Sequence, residues 1–111
     1  MNYRHAFHAG NHGDVLKHVV LTRILTYLIQ KAKPLAVLDA HAGIGSYDLT
    51  GVEAFKTGEW RDGIGKLAGE TLDGEAGRLL EPYLSLITRL NAAGPTQRYP
   101  GSPVVAQALL R

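Results

Sequence analysis

The sequence predicts an α/β fold, and three neighbouring features carry that expectation. Leu35-Ala-Val-Leu38 is a short, continuously apolar run with Pro34 at its start, the pattern of a buried strand. It leads into Asp39-Ala-His-Ala-Gly43-Ile-Gly45, a turn in which two glycines let main chain approach a ligand with no side chain in between. An apolar segment of helical period precedes both. Nucleotide-like cofactors are held in this way at the end of the first strand of an open α/β sheet.

The elements follow in order. Residues 1–13 show no clean period and read as an ordered loop rich in histidine, aromatic residues and glycine. Asp14 reads as a helix N-cap. Val15, Leu16, Val19, Val20, Ile24, Leu25, Leu28 and Ile29 then recur at helical spacing, which predicts an amphipathic helix over 14–31 with a wide apolar face. Lys31 and Lys33 place positive charge at its end, and Pro34 stops it. The strand 35–38 and the turn 39–46 follow, with one or two helical turns in 47–55. Glycines at 58, 63, 65, 69, 74 and 77 break the next stretch into short helices, one around 64–72. A longer helix is expected over 77–91, with Leu79, Leu80, Leu84, Ile87 and Leu90 on its apolar face and Pro82 in its first turn. Gly94-Pro95 closes it. Arg98-Tyr-Pro-Gly-Ser-Pro103 reads as a rigid turn, with Ser102 as N-cap and Pro103 at the first position of a last helix. One strand does not make a sheet. The sequence ends at Arg111 within that last helix, so the expectation is the front piece of a larger domain.

Composition narrows the classes. With 111 residues, 45% hydrophobic and 20% charged, the chain has the balance of one small water-soluble domain. It has no cysteine, hence neither a disulfide framework nor a thiolate metal site, which fits a cytoplasmic setting. No signal-peptide core or membrane span is legible, because Lys17, His18, Arg23 and Gln30 interrupt the apolar stretches. The charge is uneven. Up to His41 stand Arg4, Lys17, Arg23, Lys31 and Lys33 against Asp14 and Asp39, with all the histidines. From Asp48 to Glu81 acids predominate. The basic head is therefore the part suited to a polyanion, with a solvated basic face as the plain alternative.

Three segments could carry chemistry. The glycine turn lacks both the Gly-Lys-Ser/Thr of a phosphate loop and the third glycine of a dinucleotide fingerprint, since Asp48 stands there; an ordinary strand-to-helix turn is the alternative. The head, Tyr3-Arg-His-Ala-Phe-His-Ala-Gly-Asn-His-Gly-Asp-Val-Leu-Lys-His18, gathers donors and rings that can hold an anion or stack on a base. Its histidines, His5, His8, His12 and His18, lack the spacing of a zinc helix and have no cysteine or acid cluster to complete a set, so no metal is expected. The helix start at Ser102 suits an anionic group, with a plain cap as the alternative.

Together the head, Leu38-Asp-Ala-His-Ala-Gly-Ile-Gly45 and Tyr99-Pro-Gly-Ser-Pro103 resemble, in order and along essentially the whole chain, the RlmJ family. These are bacterial enzymes that methylate the N6 amine of an adenine in 23S ribosomal RNA with S-adenosyl-L-methionine. The resemblance implies a Rossmann-like class I methyltransferase with a small helical insertion. On that frame residues 1–50 hold the head motif, first helix, first strand and cofactor turn, 51–94 the insertion, and 95–111 the return to the core. It implies that Tyr3 and His5 meet the target RNA, in protein-free or early-assembly form, and that Lys17, His18, His41, Gly43 and Ser102 lie at the cofactor. No membrane or metal partner is implied. The family's Asp/Asn-Pro-Pro-Tyr/Phe motif, which holds the amine, is absent from this sequence, as is the acid that holds the cofactor ribose. No catalytic residue is therefore assigned within the 111 residues, and the chain alone is expected to be inactive. The alternative is a noncatalytic RNA- or nucleotide-binding module.

Overall fold

The computed structural model describes residues 4–92, 94 and 97–110. After a single 3-10 turn at His5–Phe7 comes helix α1, His12–Leu28. Its N-cap is Asn11, whose Oδ1 accepts the Asp14 N–H at 2.9 Å; Asp14, the cap expected from sequence, sits inside the helix. Strand β1 (Ser46–Asp48), helices α2 (Val52–Thr57), α3 (Ile64–Ala68) and α4 (Gly74–Leu90), strand β2 (Arg98–Pro100) and helix α5 (Ser102–Leu109) complete the order, with a second 3-10 turn at Glu59–Asp62.

The strands differ from the expectation. Residues 35–38 take no part in a sheet, and Leu38 is 96% exposed. An apolar strand of that kind needs neighbours on both edges, and among the described residues nothing pairs with it. The sheet that does form is a short antiparallel pair, β1 on β2, with Tyr47 opposite Tyr99 and Asp48 opposite Arg98. Both strands lie in stretches read from sequence as turn or helix. Three residues are too few to show alternation, and what locks them is the burial of Tyr47 and Tyr99 on one face.

Helix α1 also differs. Its buried stripe is Asp14, His18, Thr22 and Leu25, while Leu16, Val20, Ile24 and Tyr27 are at least half exposed. Polar side chains line the inner face because each finds a partner there: Thr22 Oγ1 donates to the His18 carbonyl at 2.8 Å, and His18 Nδ1 meets the Tyr99 hydroxyl at 2.7 Å. Against this stripe pack α4 and α5. The core joins Tyr47, Leu49, Ile64, Tyr83, Leu86, Ile87, Tyr99 and Val105.

Helix α4 starts at Gly74, so Pro82 lies mid-helix. It removes one N–H from the ladder, and the buried face runs through Tyr83, Leu86 and Ile87, with Leu79 and Leu90 toward solvent. At α5 the N-cap is Gly101, and Ser102 is the first helical residue. The head loop is fastened to the middle of the chain by Ile64 N–H donating to Gly10 O at 2.8 Å. Gly63 permits that approach, since a Cβ there would stand 2.0 Å from Gly10 O. No helix among the described residues is long and apolar enough to cross a membrane.

Candidate functional site

The three segments singled out by sequence converge on one cavity of about 830 Å³, a size usual for a small-molecule site. The head supplies Arg4, His5, Asn11, Asp14, Lys17 and His18. The glycine turn supplies His41, Ala42, Gly43 and Ile44. The start of α5 supplies Gly101 and Ser102, and Tyr47 of β1 closes the wall between them. His5, Lys17, His18, His41, Gly43 and Ser102 are thus brought together. Tyr3 lies outside the described residues.

The turn is held from two sides. Gly43 and Gly45 adopt φ of 65° and 87°, a region that L side chains rarely enter. A Cβ on Gly43 would also stand 2.5 Å from the Tyr47 hydroxyl. Gly101 N–H donates to Gly45 O at 2.6 Å, which ties the turn to α5. Asp39 completes the tie: one carboxylate oxygen accepts the Ser102 hydroxyl and the other the His41 N–H at 3.1 Å. The Ser102 hydrogen bond, and then that of His41, hold the Asp39 carboxyl below the usual carboxylate range against some burial. Ser102 therefore serves first to anchor the turn, and His41 is exposed at the rim.

The opposite wall is a buried polar cluster. Asp14, with its side chain 2% exposed, accepts from His5 Nε2 at 2.8 Å and from the Gly10 N–H at 2.9 Å. Burial pushes its carboxyl up, but the hydrogen bonds from His5 and Gly10 and the nearby His18 prevail and leave it lowered. His18 Nδ1 lies 3.6 Å from the other Asp14 oxygen and bonds to Tyr99, whose hydroxyl meets that of Tyr83 at 2.9 Å. Burial lowers the His18 pKa more than Asp14 raises it, so the ring is neutral near pH 7. Burial likewise drives both tyrosines upward, so they stay protonated donors. Among the described residues the buried His18 Nε2 has no hydrogen-bond partner.

Sequence reasoning named Asp14 and Tyr99 within the motifs but not as site residues, and missed Tyr83 entirely. The Asp14–His18 spacing of four, which puts both on one helix face, was a usable signal. Nothing local marks Tyr83. The remaining histidines are engaged or dispersed: His8 Nδ1 lies 3.0 Å from Glu59. Among the described residues no three or more His, Cys, Asp or Glu side chains stand together as a metal set would.

The structure is thus a mixed α/β domain whose pocket is walled by main-chain turns on one side and a buried histidine–carboxylate cluster on the other, the concave form that small-molecule sites take. The chain belongs to the family described as ribosomal RNA large subunit methyltransferase D, RlmJ, whose model matches residues 32–111. It is 45% identical to the Escherichia coli protein named ribosomal RNA large subunit methyltransferase J, and 47% identical to its namesake in Haemophilus influenzae. Each match covers 100% of this chain and 39% of the relative, so the chain spans about two fifths of their length. The crystal structure of protein LPL1258 from Legionella pneumophila is similar over 93% of this chain and 36% of that one, with a TM-score of 0.79 at 41% identity.

Proposed function

We propose that this chain forms the cofactor wall and part of the target wall of an S-adenosyl-L-methionine-dependent methyltransferase acting on the N6 amine of an adenine in 23S ribosomal RNA. The observation that carries the reading is the convergence of the head, the glycine turn and the α5 start on one cavity. The names of the curated relatives support a large-subunit ribosomal RNA substrate.

The residues present fit such a cofactor. A Cβ at Gly43 would collide with the hydroxyl of Tyr47, which lines the cavity, and the buried His18 Nε2, unpartnered among the described residues, stands ready for a polar atom. When bound, S-adenosyl-L-methionine supplies a methyl group activated by its sulfonium, so the protein's work is mainly orientation. Main chain at Gly43 and Gly45 sets the depth of the turn. His41 contacts the cofactor from the rim, Lys17 offers a cation to an anionic group, and Ser102, through Asp39, keeps the turn in register with α5. Tyr3 and His5 meet the adenine, which must leave its stack to be reached. The Asp-Pro-Pro-Tyr motif that would hold the amine is not in these 111 residues, so the chain alone binds weakly and does not turn over.

The reading includes a Rossmann-like core interrupted by a helical insertion at 51–94. The sheet supports it: β1 and β2 lie side by side, and Leu49 N–H donates to Gln97 O at 2.7 Å, so the chain leaves and returns at one place.

A chimaera tests the reading. With this chain replacing the matched part of the Escherichia coli relative, unmodified large-subunit ribosomal RNA should be methylated. K17A or H41A should lower that activity by about tenfold or more, the loss expected for one charge-assisted contact. A folded, active chimaera indifferent to both substitutions would contradict the assignment.

A further inference from the structure

We propose that Asp14 is a positioning residue for the target wall, acting by fixing the His5 imidazole at the mouth of the cavity. The proposal rests on the reading of His5 as an RNA contact.

The geometry is specific. Asp14 is the third residue of α1, and its side chain is almost fully buried. One carboxylate oxygen receives two donors from the head loop, His5 Nε2 at 2.8 Å and Gly10 N–H at 2.9 Å. A carboxylate can only accept, so His5 carries its proton on Nε2 and turns Nδ1 away from Asp14. The ring also stands edge-on to Tyr47, with centroids 5.3 Å apart and planes at 72°. Two contacts from different elements therefore restrict a side chain whose backbone lies in a 3-10 turn of three residues. Without Asp14 the ring keeps only the Tyr47 contact of these two. The same carboxylate restrains the loop through Gly10, whose carbonyl in turn accepts the Ile64 N–H at 2.8 Å. Helix capping accounts at most for the Gly10 contact, since Asn11 already fills the N-cap, and it does not account for the bond to His5. Asp14 does not need to touch RNA or cofactor: it acts on the target through the orientation it gives His5.

The test combines a cycle with a spectroscopic readout on the 111-residue chain. Affinity for a short single-stranded adenine-containing RNA is measured for the unsubstituted chain, D14A, H5A and the double variant. Each single change should weaken binding about tenfold, and the double variant should be no weaker than H5A, because coupled residues are not additive. In parallel, the His5 Nε2–H should give an exchange-protected imidazole resonance that D14A abolishes. D14N retains an acceptor of the same shape, so it should keep the resonance and bind within about twofold of the unsubstituted chain. If D14A does not fold, D14N decides: loss of the resonance in a folded D14N overturns the proposal. Multiplicative losses in the cycle, or a His5 resonance that persists in D14A, also overturn it. A normal resonance pattern with no RNA binding by the unsubstituted chain would overturn the RNA reading of His5, and with it the functional half of this proposal, while leaving the Asp14–His5 contact established.

Discussion

Single residues in this molecule act through buried polar contacts more than through apolar bulk. His18 is the clearest case. Its folded pKa lies below its ordinary value of 6.5 because burial disfavours the charged ring. The unfolded chain therefore binds the proton first. Stability from this group is fully present above pH 6.5 and declines as pH falls from there to the folded value. Asp14 adds a second loss further down: its folded pKa is lowered, so its contribution is present above about 3.8 and disappears as pH falls through the folded value. Thermal melts between pH 7.5 and 5 should show a fall in Tm that H18Q flattens; an equal fall in H18Q would contradict the assignment. Tyr99→Phe should cost about 1–3 kcal/mol in denaturant unfolding, since it strands both His18 Nδ1 and the Tyr83 hydroxyl in the interior. Gly43→Ala should be harmful out of proportion to one methyl group. It strains a φ of 65° and drives Tyr47 aside, and should weaken S-adenosylhomocysteine binding at least about tenfold while costing about 1 kcal/mol or more of stability. Unchanged binding by G43A would separate the turn from the ligand.

At the scale of elements, helices were legible and strands were not, for a physical reason. Helix α1 and helix α4 carry enough apolar residues at 3.6 spacing to announce themselves, and the Ser102-Pro103 pair announced α5 to within a residue. The face each helix buries was a different matter. For α1 the apolar count pointed to Val and Leu positions, yet the inner stripe is Asp14, His18, Thr22 and Leu25, because tertiary hydrogen bonds are made there. Strands β1 and β2 depend on pairing across some fifty residues of chain, which no local window reports. The 35–38 run reads as a strand because its composition is that of one, whereas pairing is a property of neighbours. Motif residues from three distant segments line one cavity, while the bracing roles of Asp14, Tyr99 and Tyr83 depend on tertiary contacts that no motif states. The exposed stripe of α1 gives an element-scale prediction: Ile24→Lys, at a position 50% exposed, should change the stability of this chain by less than about 0.5 kcal/mol. A large loss in urea unfolding would show that this face is covered in solution.

For the molecule as a whole, three segments far apart in sequence are assembled into two walls of one pocket. The glycine turn and α5 form one wall, tied by Asp39 to Ser102 and by Gly101 to Gly45. The head and the inner face of α1 form the other, braced by Asp14 and the Tyr99–Tyr83 pair. The β1–β2 pair holds the first wall together, because it joins the chain just after the turn to the chain just before α5. This arrangement accounts for a family whose sequence signature is scattered yet ordered. The whole cavity lies within about two fifths of the relatives' length. The central claim is that the shared cavity is the cofactor site, and titration of the isotope-labelled chain with S-adenosylhomocysteine, followed by amide and imidazole resonances, tests it most directly. Saturable shifts confined to Lys17, His18, His41–Gly45 and Gly101–Ser102 are predicted, even at weak affinity. Shifts centred elsewhere, or none at millimolar ligand, would contradict it.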